Sequence, residues 1–75
     1  MYNNIKNIYD KAIAEGKSGS ISAKDSEGND IIIQSLITQE KDGKHFFRVD
    51  TMQSDGTTRI NDYYENGDVK EAFEK

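Results

Sequence analysis

The residue best suited to chemistry is His45, the one histidine in the sequence. A single histidine cannot build a multi-histidine metal site, and no serine–histidine–acid arrangement is recognisable around it. The chain has no cysteine, which excludes a thiol nucleophile, a cysteine-ligated metal and a disulfide. We therefore expect a protein that is not an enzyme, in which His45 is a surface residue of a strand.

Acidic side chains surround Gly28 in the segment 25–30, Asp-Ser-Glu-Gly-Asn-Asp. This order lacks the ligand positions and the late bidentate glutamate of a calcium-binding loop, so it predicts a hairpin turn. The glycines stand singly beside acidic residues, which would repel a phosphate group. The sequence thus predicts no metal and no cofactor.

The charge balance is acidic, with 14 Asp and Glu against 10 Lys and Arg and a formal net charge of -4. This balance disfavours direct nucleic-acid binding, which needs clustered basic residues, and favours attraction to a basic surface. The acidic excess is concentrated near the end of the chain, in Asp62, Glu65, Asp68, Glu71 and Glu74. Carboxylates spaced along a hairpin can also imitate a row of phosphates, and this alternative stays open.

Glycines at 28, 43, 56 and 67 divide the chain after residue 20, each preceded by an acidic or amide residue. Asp-Gly and Asn-Gly favour hairpin turns because these residues tolerate positive φ. The intervening runs are rich in β-branched and aromatic residues, which favour strands. An antiparallel β-meander is predicted over about 20–73, with strands at 20–24, 30–40, 44–52 and 57–64 and a turn at Lys41-Asp42-Gly43.

Residues 4–15 predict an amphipathic helix, which the sheet must cover because so short a helix is marginal alone. Asn3 or Asn4 can cap its start, and Gly16 suits the left-handed residue that ends many helices. Its apolar stripe comprises Tyr2, Ile5, Ile8, Tyr9, Ala12 and Ile13. The 75 residues allow one domain, 1–75, of α+β class, in which the helix packs on a sheet of four or five strands.

Residues 68–75 leave strand, helix and disorder open. Asn66-Gly67 favours a hairpin into a fifth strand, whereas Lys70-Glu71-Ala72 has a helix-forming composition. The segment Tyr63-Tyr64-Glu65-Asn66-Gly67-Asp68-Val69-Lys70 resembles one unit of the tandem hairpin repeats of the MORN type. The resemblance covers eight residues and implies a hairpin at 66–67.

Strand alternation divides the apolar residues between two faces of the sheet. One face is predicted to form a core with the helix, from Ile21, Ile31, Ile33, Ile37, Phe47, Val49, Ile60, Tyr64, Val69 and Phe73. The other face is predicted to carry Ile32, Leu36, Phe46 and Tyr63. One helix can cover only one face, so the second is the main functional clue.

We expect a small acidic protein-binding module, of inhibitor or immunity type with phage anti-defence proteins included, acting on a larger protein with a basic surface. The predicted contact residues are Ile32, Leu36, Phe46, Arg59, Asp62, Tyr63, Glu65, Asp68 and Glu71. The alternative is a self-associating accessory domain that forms a homodimer through a sheet face or edge. No segment predicts a membrane span or a signal peptide, and the lack of cysteine suits the cytoplasm.

Overall fold

A computed structural model of the chain describes residues 1–38 and 43–75. Within these residues one helix precedes five strands that form a single antiparallel sheet in the order β1-β2-β3-β4-β5. The elements are α1 (Tyr2–Ala14), β1 (Ile21–Lys24), β2 (Asp30–Ile37), β3 (His45–Met52), β4 (Thr58–Tyr64) and β5 (Val69–Glu74). The predicted α+β class and meander are confirmed, and residues 69–74 form a strand.

Helix α1 begins earlier than the asparagines suggested. It starts at Tyr2 with Met1 at the N-cap, and no side chain caps it. Gly16, with a φ of 92°, follows its C-terminal end as predicted. Ile5 and Ala12 are buried beneath the helix, whereas Ile8 and Ile13 are exposed, so its buried stripe is narrower than the predicted one.

Three of the hairpin loops share one construction. In each, a backbone N–H binds the carbonyl four residues later, and the glycine N–H binds the carbonyl three residues earlier. The loops run from Asp25 to Asn29, from Gln53 to Thr57 and from Tyr64 to Asp68. Gly67, with a φ of 95°, shows why glycine is needed, since this loop type places its third residue in the left-handed region. The predicted turn residues Lys41 and Asp42, and the predicted strand end at Glu40, lie outside the described residues.

The core lies between α1 and one face of strands β1 to β3, which we call the covered face. It is built from Ile5, Ala12, Ile21, Ile31, Ile33, Phe47 and Val49. The rings of Tyr2 and Tyr9 each lie 5.3 Å from the Phe47 ring, measured between centroids. The helix does not extend over β5, so Val69 and Phe73, which were predicted in the core, are exposed, as is Ile37 at the end of β2.

The predicted faces of β4 are wrong. Tyr63 pairs with Phe47 and therefore lies on the covered face, partly packed against the core. Tyr64 pairs with Phe46, and Ile60 pairs with Asp50, so both lie on the opposite face. The cause is the loop between Gln53 and Thr57. Its three residues shift the pairing by one position relative to a two-residue Asp55-Gly56 turn, and a one-residue shift exchanges the faces.

Candidate protein interface on the open face of the sheet

No described element packs on the second face of the sheet, which we call the open face. Its apolar residues form two cross-strand groups. Leu36, Phe46 and Tyr64 lie side by side across β2, β3 and β4, and Ile32 and Ile60 flank Asp50 further along β3. The five apolar side chains are named the open-face patch: Ile32, Leu36, Phe46, Ile60 and Tyr64.

Aromatic stacking orders one end of the open-face patch. The rings of Phe46 and Tyr64 are stacked, with centroids 4.7 Å apart and planes inclined by 22°. The Lys70 ammonium lies 5.3 Å from the Tyr64 centroid, and the Arg48 guanidinium carbon lies 6.0 Å from the Phe46 centroid. These distances are typical of cation–π contacts, in which each charged group lies over the face of a ring and shields it from solvent.

Between the two apolar groups lies an ion pair that is satisfied within the chain. Arg48 and Asp62 are directly opposite on β3 and β4. The Arg48 Nε donates to Asp62 Oδ1 at 2.8 Å, and a terminal guanidinium nitrogen donates to Oδ2 at 3.1 Å. The hydrogen bond to Asp62 raises the pKa of Arg48 further above its ordinary value. This two-bond geometry fixes both side chains and neutralises the Asp62 carboxylate within the chain.

Asp50 lies in the middle of the open face, between Ile32 and Ile60, and differs from Asp62 in its hydrogen bonding. Its Oδ1 atom is buried and has no hydrogen-bond partner among the described residues. Burial raises the pKa of its carboxyl, an effect that Arg48 opposes and that the carboxylates of Glu74 and Asp62 reinforce. A buried carboxylate oxygen without a donor is unfavourable, so Asp50 is the part of this face that is best suited to receive a cation.

The structure places the predicted contact residues in three regions. Ile32, Leu36, Phe46 and Asp62 lie on the open face, and Arg59, Tyr63 and Glu71 lie on the covered side of the sheet. Glu65 and Asp68 belong to the β4–β5 hairpin loop. The set therefore does not form one surface. The predicted contact set left out Asp50 and Arg48, which lie on the open face, and the predicted faces of β4 put Tyr64 and Ile60 on the other side.

Several residues of the predicted acidic surface already have partners within the chain. The Glu65 carboxylate accepts a hydrogen bond from the Tyr2 hydroxyl at 3.3 Å, and Glu71 accepts one from the Asn61 amide at 2.9 Å. Asp68 accepts one from the Asn66 side chain at 3.1 Å. These bonds hold the helix start, the strands and the last loop in place, so the acidic side chains here have structural contacts.

His45 is half-buried on the covered side and joins the start of α1 to the sheet. Its Nδ1 lies 2.8 Å from the Tyr2 hydroxyl, and its Nε2 lies 2.6 Å from the Ser35 hydroxyl. Its ring also contacts Phe47 edge-on, with centroids 4.9 Å apart. Both ring nitrogens are thus occupied by structural bonds. Across residues 1–38 and 43–75 no cluster of three or more His, Asp or Glu could hold a metal ion.

Arg59 and Tyr63 line a groove of about 240 Å³ on the covered side, beside the start of α1 and the β1–β2 loop. The Arg59 Nε is buried and has no hydrogen-bond partner among the described residues. Asp25 and Glu27 also line this groove, and their carboxylates oppose the entry of an anion. The groove is therefore a weaker candidate for a ligand than the open face.

Comparison with known proteins gives no family model, no curated protein and no solved structure that matches this chain. None of the helices in the described part of the chain is long and apolar enough to cross a membrane.

Proposed function

We propose that this chain is a small non-enzymatic protein-binding module whose open face docks on a basic surface of a larger protein. The observation that carries the proposal is Asp50, whose Oδ1 is buried between two isoleucines without a donor from residues 1–38 or 43–75. A lysine or arginine from a partner would supply the missing hydrogen bonds. Ile32 and Ile60 would exclude water around the new ion pair, which strengthens it.

The surroundings of Asp50 suit an interface in other respects. Phe46 and Tyr64 stack on each other and are only 7% and 8% exposed, so they order this end of the face beside the half-buried Leu36. Arg48 and Asp62 already neutralise each other, so an interface that covers them would not leave either charge without a counter-ion. The net charge of -4 would attract a basic surface at long range and raise the association rate.

A domain of this size with this surface would act by covering part of its target. Inhibitors and immunity-type proteins work in that way, and phage-encoded inhibitors of bacterial defence proteins are included in this class. Cytoplasmic action is part of the proposal and fits the absence of cysteine.

The test compares two variants that each remove one negative charge. Asp50→Asn alters the open face, whereas Glu15→Gln alters an exposed residue at the end of α1. Proteins captured from host lysate by the wild type are identified by mass spectrometry, purified, and measured by titration calorimetry against all three forms. We expect Asp50→Asn to weaken binding about tenfold or more and Glu15→Gln to leave it nearly unchanged.

The two variants also separate a specific contact from general charge attraction. Circular dichroism confirms that each is folded. If the affinities of Asp50→Asn and wild type are equal for every captured protein, the open face is not the binding surface and the proposal is wrong.

A further inference from the structure

Strand β5 forms one edge of the sheet, and all six of its residues are exposed. The Tyr64 N–H donates to the Asp68 carbonyl, which fixes the alternation of the β4–β5 ladder. Because hydrogen-bonded pairs alternate in an antiparallel ladder, Lys70, Ala72 and Glu74 bond to β4. The backbone N–H and C=O groups of Val69, Glu71 and Phe73 therefore point away from the sheet.

The opposite edge of the sheet is shorter and less open. Strand β1 has four residues, against six in β5. The C-terminal half of α1 lies beside it, where Ile8, Ala12 and Ile21 line a shared groove. A second strand would thus find a longer set of outward backbone groups on β5 than on β1, and such edges are templates for pairing.

We propose that β5 pairs antiparallel with β5 of a second copy of this chain, around a two-fold axis that passes midway between the two Ala72 residues. The axis stands perpendicular to the sheet, so the covered faces of both copies lie on one side and the open faces on the other. The five strands of each copy would then form one continuous sheet. This inference is independent of the proposed function and concerns a different surface.

Charge selects this register among those that the two-fold axis allows. Paired side chains share a face only if the axis is level with a residue, so that this residue lies opposite its own copy. An axis level with a peptide bond would pair residues whose side chains lie on opposite faces. With Ala72 on the axis, Lys70 of each copy lies opposite Glu74 of the other, on the open side. Opposite charges at directly paired positions stabilise a ladder. The outward groups of Glu71 and Phe73 pair with each other in the same register.

The neighbouring registers are less favourable. An axis at Glu71 would set this glutamate against its own copy and Asp68 against Glu74. An axis at Lys70 would set two lysines opposite each other, and like charges at paired positions destabilise a ladder. An axis at Phe73 would limit the overlap within β5 to residues 72–74. The register at Ala72 alone combines long overlap with opposite charges.

The first test removes one outward N–H. Glu71→Pro deletes an amide that faces away from β4, a position where an edge strand tolerates proline. Glu71→Ala is the matched control, because it also loses the contact with Asn61 but keeps the amide. Sedimentation velocity from micromolar to millimolar protein should show self-association of the wild type and Glu71→Ala. The dimer dissociation constant of Glu71→Pro should be about tenfold higher or more, with an unchanged circular dichroism spectrum.

The second test exchanges charges between copies. Lys70→Glu places two acids opposite each other in its own dimer, and Glu74→Lys places two lysines opposite each other, so each variant alone should be largely monomeric. In an equimolar mixture, the introduced glutamate of one variant faces the introduced lysine of the other. The native Lys70 and Glu74 that remain also face each other, so the mixture should dimerise again. Recovery on mixing requires that both variants are folded.

Two results would overturn the proposal. A wild type that stays monomeric at millimolar concentration excludes self-pairing and leaves the edge to a strand of another protein. A mixture of Lys70→Glu and Glu74→Lys that is no more associated than either variant excludes the register at Ala72.

Discussion

The covered and open faces of the sheet bury similar side chains by different means, as Phe46 and Phe47 show. Phe47 is 2% exposed and lies beneath the helix, against the rings of Tyr2 and Tyr9. Phe46, its neighbour in sequence, is 7% exposed on a face that no described element covers. It is shielded by Tyr64 and Arg48, which lie within the same sheet.

Phe46 is therefore buried without a second layer of described structure above it. On the covered face, apolar side chains of the helix and of the sheet interlock around Phe47. On the open face, one layer of side chains shields itself and includes both the Arg48–Asp62 pair and the unsatisfied Asp50. The first face stabilises the fold by packing two layers together, and the second carries Asp50, whose Oδ1 has no hydrogen-bond partner among the described residues.

The substitution Phe47→Ala should have the largest effect, because it leaves a cavity between two packed layers. We expect the free energy of unfolding to fall by about 3 to 5 kcal/mol, which is most of the stability of a domain this small. Urea unfolding followed by circular dichroism measures the loss. A loss below about 1 kcal/mol would show that the helix does not pack on Phe47.

The substitution Phe46→Ala is the matched change on the open face and should cost less. Solvent can fill the vacated space, so the cost is the lost apolar burial and stacking, about 1 to 2 kcal/mol. The same urea experiment serves. If Phe46→Ala proved as destabilising as Phe47→Ala, the two faces would be equally enclosed and the comparison would fail.

The substitution Tyr2→Phe tests whether the Tyr2 hydroxyl helps to fix α1 to the covered face. It removes the hydroxyl that bonds to His45 and Glu65, and we expect a loss of about 1 kcal/mol in thermal unfolding experiments. Tyr9→Phe is the control, because its ring also packs on Phe47 and its hydroxyl makes no hydrogen bond to a described residue. Equal effects of the two variants would contradict a specific role for the Tyr2 hydroxyl.

The substitution Asp50→Asn should have the smallest effect on stability and the opposite sign. Burial raises the pKa of Asp50 in the folded protein, so ionisation costs folding free energy. Wild-type stability should therefore fall as pH rises from below the unfolded pKa of aspartate through the raised folded pKa. At neutral pH we expect the variant to be more stable by up to about 1 kcal/mol.

The pH dependence of this difference is the decisive measurement. The advantage of Asp50→Asn should shrink as the solution is acidified below the unfolded pKa, where wild-type Asp50 is protonated in both states. Unfolding curves of both proteins at acidic and neutral pH provide the comparison. A constant difference, or a less stable variant at neutral pH, would show that the Asp50 carboxylate is satisfied in the folded protein.

Local pattern alone determined the helix, strands β1 to β4 and their antiparallel order, whereas it left residues 69–74 open between strand, helix and disorder. The apolar stripe around Ile5 and Ala12, and the β-branched runs between glycines, each reflect the conformations available to a few neighbouring residues. Gly28, Gly56 and Gly67 marked the hairpins because left-handed backbone is accessible to glycine at little cost. The existence of a second, partly apolar sheet face also followed, since one short helix cannot cover two faces.

Only the tertiary structure decided which residues share a face across the hairpins. A two-residue turn at Asp55-Gly56 would pair Phe47 with Tyr64, whereas the three-residue loop pairs it with Tyr63. Loop length is a small local difference. Because side chains alternate with a period of two, a change of one residue in the loop moves every side chain of β4 to the other face of the sheet. The missing partner of Asp50 was equally hidden, because hydrogen-bond satisfaction depends on neighbours that are distant in sequence and are brought together only by the folded sheet.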